Sequence, residues 1–175
     1  MTTSTPNSST SAPLRRAKQP RSALAGPYGH PFHPVLITVP IGAWVASLVF
    51  DIAGMIGDEP EVFAEGAYWL IALGILGALA AAVFGLMDLS IIPRGTKAFR
   101  TGVTHMSLNL VVVGLYVVNL LVRRAQGYED ITVPTVALSV VAVALLGASG
   151  WLGGKLAYHY GVRVADEGMQ AEGYR

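Results

Sequence analysis

Cysteine is absent from the 175-residue chain, and charged residues are scarce, at 13%. Without cysteine the chain has no disulfide, no thiolate-bound metal, no thioether-linked haem and no cysteine-ligated iron–sulfur cluster. Any metal ligand must therefore come from His, carboxylate, Met or Tyr side chains. The sequence also lacks Gly-x-Ser-x-Gly, the phosphate-binding loop and His-Glu-x-x-His. It therefore assigns no enzymatic reaction by motif.

What the chain does have is long hydrophobic runs. Apolar residues make up 53% of it and the mean hydropathy is +0.51, outside the range of ordinary soluble proteins. They fall into four blocks, each close to the roughly 20 residues that span a hydrocarbon core of about 30 Å. The blocks cover residues 34–56, 66–92, 104–122 and 134–156. Because backbone amides in lipid must be satisfied within their own segment, we predict an all-α bundle of four transmembrane helices.

The two ends of the chain are polar. Residues 1–25 are rich in Ser, Thr and Pro and predict a disordered N-terminal tail. A cleavable signal peptide is not expected, because the first apolar run is too long and begins too late. We therefore divide the chain into a tail at 1–25, a transmembrane domain at 26–160 and a polar C-terminal tail at 161–175.

Charge distribution predicts the orientation. Basic residues cluster before the first span and between the second and third spans, at Arg15, Arg16, Lys18, Arg21, Arg94, Lys97 and Arg100. Acidic residues cluster between the first and second spans, at Asp58, Glu59, Glu61 and Glu65. The positive-inside rule then predicts a multi-pass protein of the inner (plasma) membrane with both termini in the cytoplasm. The expected partner is the lipid bilayer, and nothing favours nucleic acid.

All four histidines are predicted to lie near the cytoplasmic face. His30 and His33 lie in Gly-His-Pro-Phe-His-Pro before the first span, His105 opens the third span, and His159 follows the fourth. Imidazole is a common ligand of metals and of haem iron. These four are the candidate ligands of haem b or a divalent metal, and Asp88 near the end of the second span is a fifth candidate metal ligand or an ion-pair partner. The alternative is that they are interfacial side chains that fasten helices.

Helical phase predicts which polar side chains face the bundle. At 100° per residue, one stripe on the third span holds His105, Asn109, Tyr116, Asn119 and Arg123. On the first span, Asp51 shares the face of His33. We therefore expect Asn109 and Asp51 to point inward, where they would support a ligand or form an ion pair. The face of Asp88 carries mostly small residues, which let a neighbouring helix approach closely.

These residues resemble a bacterial membrane family known as domain of unknown function 2231. The resemblance rests on Gly29–Pro34 leading into Val39-Pro40-Ile41-Gly42, on Asp51, Asp88 and His105, and on Gly153–Tyr158 before Gly161. It implies a small multi-helix membrane protein. Some relatives carry a Rieske iron–sulfur domain, which implies redox work, but this chain has no such domain. The resemblance implies no established activity.

Three hypotheses for function follow. The first is a redox protein that binds b-type haem or a metal ion through a subset of the histidines, with a redox partner. The second is a structural or accessory membrane protein without a cofactor, whose polar contacts hold its helices or a homo-oligomer together. The third is a small permease or proton pathway along the polar stripe of the third span. Sequence alone leaves all three open.

Overall fold

The computed structural model describes residues 8–127 and 130–175, and it is helical with no strand in this part of the chain. The first four helices are α1 (Ser8–Lys18), α2 (His33–Leu36), α3 (Thr38–Ile56) and α4 (Pro60–Ile91). They are followed by α5 (Lys97–Ala125), α6 (Val133–Gly154) and α7 (Glu167–Glu172). A short 3-10 helix forms at Ala23–Ala25, and a π-helical turn at Lys155–His159 continues α6.

Four of these segments are long and apolar enough to cross a membrane: α2 with α3, α4, α5, and α6 with its π-helical turn. Each packs against the next along the chain, and α3 also packs against α6, so α3 and α5 are diagonal to each other, as are α4 and α6. Large apolar side chains cover the outside, such as Leu76, Leu79 and Leu121. The predicted all-α bundle of four spans is confirmed.

Local sequence explains where the helices begin. Proline occupies one of the first two positions of both α4 and α6, where its missing amide hydrogen leaves no helical bond unmade. The Thr96 hydroxyl accepts from the Phe99 amide at 3.1 Å and caps α5. Thr132 and Thr135 form a reciprocal capping box on α6. α5 therefore starts in the basic connection, several residues before its apolar block.

An aromatic stack lies at the centre of the bundle. The rings of Trp44 and Tyr116 are 4.3 Å apart and nearly parallel, and Ile71, Val112 and Ala142 pack around them. The Trp44 indole lies against the backbone of α4, where it donates to the Ile71 carbonyl at 3.3 Å. The stack joins α3 to α5 across the diagonal.

Helix α1 and the segment after Gly161 pack on the end of the bundle where α3 and α5 begin. Ala17 of α1 forms a small buried cluster with Ile92 and Val162, and its carbonyl accepts from the Arg163 amide at 3.0 Å. In the segment expected to be a disordered tail, residues 1–7 lie outside the described part of the chain. From Ser8 onward the structure has helix α1, which these contacts hold against the bundle.

Candidate functional site

Two histidines meet inside the end of the bundle that carries the termini. His33 begins α2 and His105 lies two turns into α5, and their ring centroids are 6.4 Å apart with the ring planes at 90°. Both side chains are half-buried. Because α3 and α5 are diagonal, the two imidazoles approach each other across the interior rather than along one helix–helix seam.

Backbone carbonyls fix the orientation of both rings. His33 Nδ1 lies 2.9 Å from the Ala81 carbonyl oxygen, and His105 Nδ1 lies 2.8 Å from that of Ser149. A carbonyl oxygen only accepts, so each Nδ1 carries the hydrogen and donates it. In the neutral imidazole the lone pair is then on Nε2. Histidines that bind a metal through one ring nitrogen commonly donate the N–H of the other nitrogen in this way.

Small residues on α4 and α6 flank the two rings. A Cβ added to Gly85 would lie 3.0 Å from the His33 ring, and one added to Gly153 would lie 3.2 Å from the His105 ring. The carbonyl acceptors come from the preceding turn of the same helices, at Ala81 and Ser149. Each imidazole therefore lies in close contact with a neighbouring helix, at a position where a side chain larger than that of glycine would meet the ring.

Two polar side chains also contact His105. The Ser149 hydroxyl lies 2.9 Å from its Nδ1, and the Asn109 amide nitrogen lies 3.2 Å from its Nε2 and 2.9 Å from its backbone carbonyl. Asn109 thus supports the ring of His105, consistent with their shared stripe on α5. The Nε2 of His33 has no partner among the contacts of the described residues.

The other candidate ligands do not join this pair. His30 is exposed, and His159 is exposed on the π-helical turn, where its ring contacts that of Tyr160 at 4.9 Å. In the described residues no three His, Asp or Glu side chains are placed to hold a metal ion. Of the four candidate histidines, the structure therefore brings together His33 and His105.

Asp88 has a partner that sequence analysis did not identify. Its carboxylate lies 2.9 Å from Arg163 Nε. Arg163 also donates to the carbonyls of Ala25 and Gly26, at 2.9 and 3.1 Å. Its backbone is left-handed, with φ of 60°. Through Arg163, Asp88 therefore connects the C-terminal segment and the backbone at Ala25 and Gly26 to the end of α4. The position of Asp88 in the sequence did not indicate which basic residue would pair with it.

A family model described as a predicted membrane protein, DUF2231, matches residues 29–166. The match begins at the glycine before His30 and includes both members of the His33–His105 pair and of the Asp88–Arg163 pair. The chain belongs to the DUF2231 family. No curated protein and no solved structure matches the DUF2231 chain significantly.

The opposite end of the DUF2231 bundle holds a buried ion pair. Arg123 Nη2 donates to both carboxylate oxygens of Asp51, at 2.8 and 2.7 Å, and the exposed fractions of the two side chains are 1% and 0%. Arg123 Nε donates to Asn119 at 3.0 Å, and the Asn119 amide donates to Ser139 at 2.8 Å. Asp51 is therefore an internal structural partner and does not reach the membrane surface.

The polar stripe predicted on the third span is confirmed. Tyr116, Asn119 and Arg123 are buried, and His105 and Asn109 point to the neighbouring polar groups already described. Sequence phase located Arg123 and Asp51 on inward faces but did not pair them. Their pairing depends on the diagonal placement of α3 and α5. The phase of side chains around one helix does not predict how the helices are arranged.

Proposed function

We propose that this membrane protein binds b-type haem between His33 and His105 and has a redox role. The observation that carries the proposal is the facing pair of imidazoles, each held by a backbone carbonyl through Nδ1. The Nε2 lone pair lies on the other side of each ring; that of His33 has no partner among the described residues, and that of His105 faces the Asn109 amide nitrogen at 3.2 Å.

The ring separation fits two nitrogens on opposite sides of one iron. A metal–imidazole bond is about 2.0–2.1 Å, and a five-membered ring built from bonds of about 1.33 Å has a radius of about 1.1 Å. Two opposed ligands therefore place their ring centroids about 6 Å apart, compared with 6.4 Å here. Perpendicular planes are compatible with this arrangement, since each ring can rotate about its own metal–nitrogen bond.

The number of ligands favours haem over a divalent ion. A zinc ion needs three or four protein ligands, and no such group occurs in the part of the chain that is described. Haem supplies four nitrogens itself and takes only axial ligands from protein. The flanking residues Ala81, Gly85, Ser149 and Gly153 lie on the other diagonal of the bundle and are all small. Asn109 would turn away from His105 Nε2.

A b-type haem would supply one-electron redox chemistry when bound. His33 and His105 would hold it, the carbonyls of Ala81 and Ser149 would increase the basicity of the two imidazoles, and the apolar helix walls would set the reduction potential. A redox partner is part of this proposal. It would have to approach the end of the bundle that carries the histidines.

Orientation completes the proposal. Ten of the 12 Lys and Arg residues lie in the segments at the end of the bundle that carries the termini, which favours a cytoplasmic location for this end in a bacterial plasma membrane. Cysteines introduced at 58–65 should react with an impermeant reagent added to intact cells, and cysteines introduced at 95–102 should not. The reverse pattern would place the histidine pair outside.

Visible absorption of the purified protein tests the haem site. In detergent, with haemin added if necessary, the wild type should show a Soret band and a sharp α-band after reduction. His33→Ala and His105→Ala should each lose the reduced α-band while keeping the helical circular dichroism spectrum. His30→Ala and His159→Ala are matched controls that should bind like the wild type. A wild type that stays colourless, or equal losses in all four variants, would refute the proposal.

A structural or accessory role is the second candidate, and one observation favours it. Each buried polar group also connects separate segments: His33 joins α2 to α4, His105 joins α5 to α6, and Asp51 joins α3 to α5. Under this role the wild type would show no Soret band, and the histidine variants would lose stability only. A proton pathway is less favoured, because the apolar cluster around Trp44 and Val112 separates the histidine pair from Arg123.

A further inference from the structure

A groove opens on the outside of the bundle at the end that carries the termini. It has a volume of about 350 Å³ and lies where the segment after α1, the end of α4 and the start of α5 meet. One part of its wall is apolar, formed by Leu86, Leu89 and Phe99. The other part is basic, formed by Arg21 and Arg94.

The two arginines are free to bind an anion. Both are exposed, and neither pairs with a carboxylate of the described residues, where the ion pairs are Asp51–Arg123 and Asp88–Arg163. They come from segments far apart in sequence, so the fold brings them together. Lys97 and Arg100 are also exposed on the first turn of α5, so the surrounding charge is positive as well.

The groove lies at the boundary between lipid and water. Leu86 is 55% exposed on the outer face of α4, within a segment apolar enough to cross the membrane. The spanning helix ends at Ile91, and Arg94 follows in the connection. An occupant would therefore contact the outward-facing Leu86 at one end and guanidinium groups at the other.

We propose that this groove binds an anionic phospholipid. Its phosphodiester would lie between Arg21 and Arg94, which match phosphate oxygens in charge and geometry. One acyl chain would lie along Leu86, Leu89 and Phe99. A soluble phosphate would use only the basic part, whereas a zwitterionic lipid would gain less from two unpaired arginines.

Native mass spectrometry of the full-length chain in detergent tests the site. Phosphatidylglycerol and phosphatidylcholine with the same acyl chains are titrated separately, and phosphatidylglycerol should bind more tightly. An arginine in direct contact with the phosphate contributes about 1 kcal/mol, or about fivefold, to binding of the anionic lipid. Arg21→Gln with Arg94→Gln should therefore weaken phosphatidylglycerol binding about 25-fold and leave phosphatidylcholine binding unchanged.

Two variants control for charge and fold. Arg15→Gln with Arg16→Gln removes the same charge from exposed residues near the same end that do not line the groove, and should weaken binding less than fivefold. Arg21→Lys with Arg94→Lys keeps the charge and should keep most of the affinity. Equal losses in both glutamine variants, or equal binding of the two lipids, would overturn the proposal. Displacement of the lipid by an equal concentration of glycerol phosphate would also overturn it, in favour of a soluble phosphate ligand.

Discussion

Removal of one member of the Asp51–Arg123 pair should destabilise the bundle strongly. In Asp51→Asn, the Arg123 guanidinium would keep its bond to Asn119 but lose its carboxylate in a site that is 1% exposed. Breaking a buried pair in this way costs about 3–5 kcal/mol, because one charge stays buried without compensation. Arg123→Met should lower the free energy of unfolding by a similar amount, since it leaves the carboxylate of Asp51 buried without its positive partner.

The double variant distinguishes this explanation from simple loss of packing. Asp51→Asn with Arg123→Met removes both charges, so the remaining cost is that of two unmade bonds, from Arg123 to Asn119 and from Ser139 to Asp51, at about 1 kcal/mol each. The sum of the two single effects should therefore exceed the double effect by about 4–8 kcal/mol. Arg124→Met is the matched control, because Arg124 is the exposed neighbour of Arg123 and should change stability by less than about 0.5 kcal/mol.

Reversible unfolding in mixed micelles measures these free energies. Sodium dodecyl sulfate is titrated into each variant in a mild detergent, and far-UV circular dichroism follows the loss of helix. Additive effects of the two single substitutions would refute the reasoning. An Asp51→Asn variant as stable as the Arg124→Met control would also refute it, because the carboxylate would then not stabilise the buried charge of Arg123.

Two further predictions concern packing and the C-terminal segment. Gly74→Val should destabilise the protein by about 1–3 kcal/mol, because the added side chain overlaps the Trp44 indole; Gly42→Val, which meets nothing within 4 Å, should be tolerated in the same unfolding assay. Asp166 caps α7 through the Met169 amide and accepts from the Tyr28 hydroxyl, at 3.0 and 3.1 Å, and these bonds hold the pKa of its carboxyl below its usual value. The contribution of Asp166 to docking of the C-terminal segment should therefore be present at neutral pH and be lost as pH falls through that lowered pKa. Amide hydrogen exchange near Met169 measures this loss. Asp166→Ala should abolish the pH dependence, and an unchanged profile in the variant would contradict the assignment.

The sequence determines the architecture because hydrophobic length and helical phase are local properties. Four apolar runs of spanning length leave few alternatives to a helical bundle in lipid. The phase of α5 likewise predicted its inward stripe. The same reasoning extended to Asn109, whose side chain does contact His105.

Contacts between helices are not local properties, and there the predictions were incomplete. His33 meets His105, and Asp51 meets Arg123, because α3 and α5 are diagonal in the bundle. The spacing of residues along the chain does not predict which helices are diagonal. Arg163 reaches Asp88 because the chain turns back in a left-handed conformation after Gly161. Its sequence position in the polar tail gave no sign of burial.

Electron paramagnetic resonance of the haem-loaded protein tests the central proposal most directly. Two axial imidazoles make ferric haem six-coordinate and low-spin, whereas loss of one leaves it five-coordinate and high-spin. We expect a low-spin signal from the wild type, His30→Ala and His159→Ala, and conversion to a high-spin signal in His33→Ala and in His105→Ala. A high-spin signal from the wild type, or a low-spin signal that survives either His33→Ala or His105→Ala, would contradict ligation by this pair.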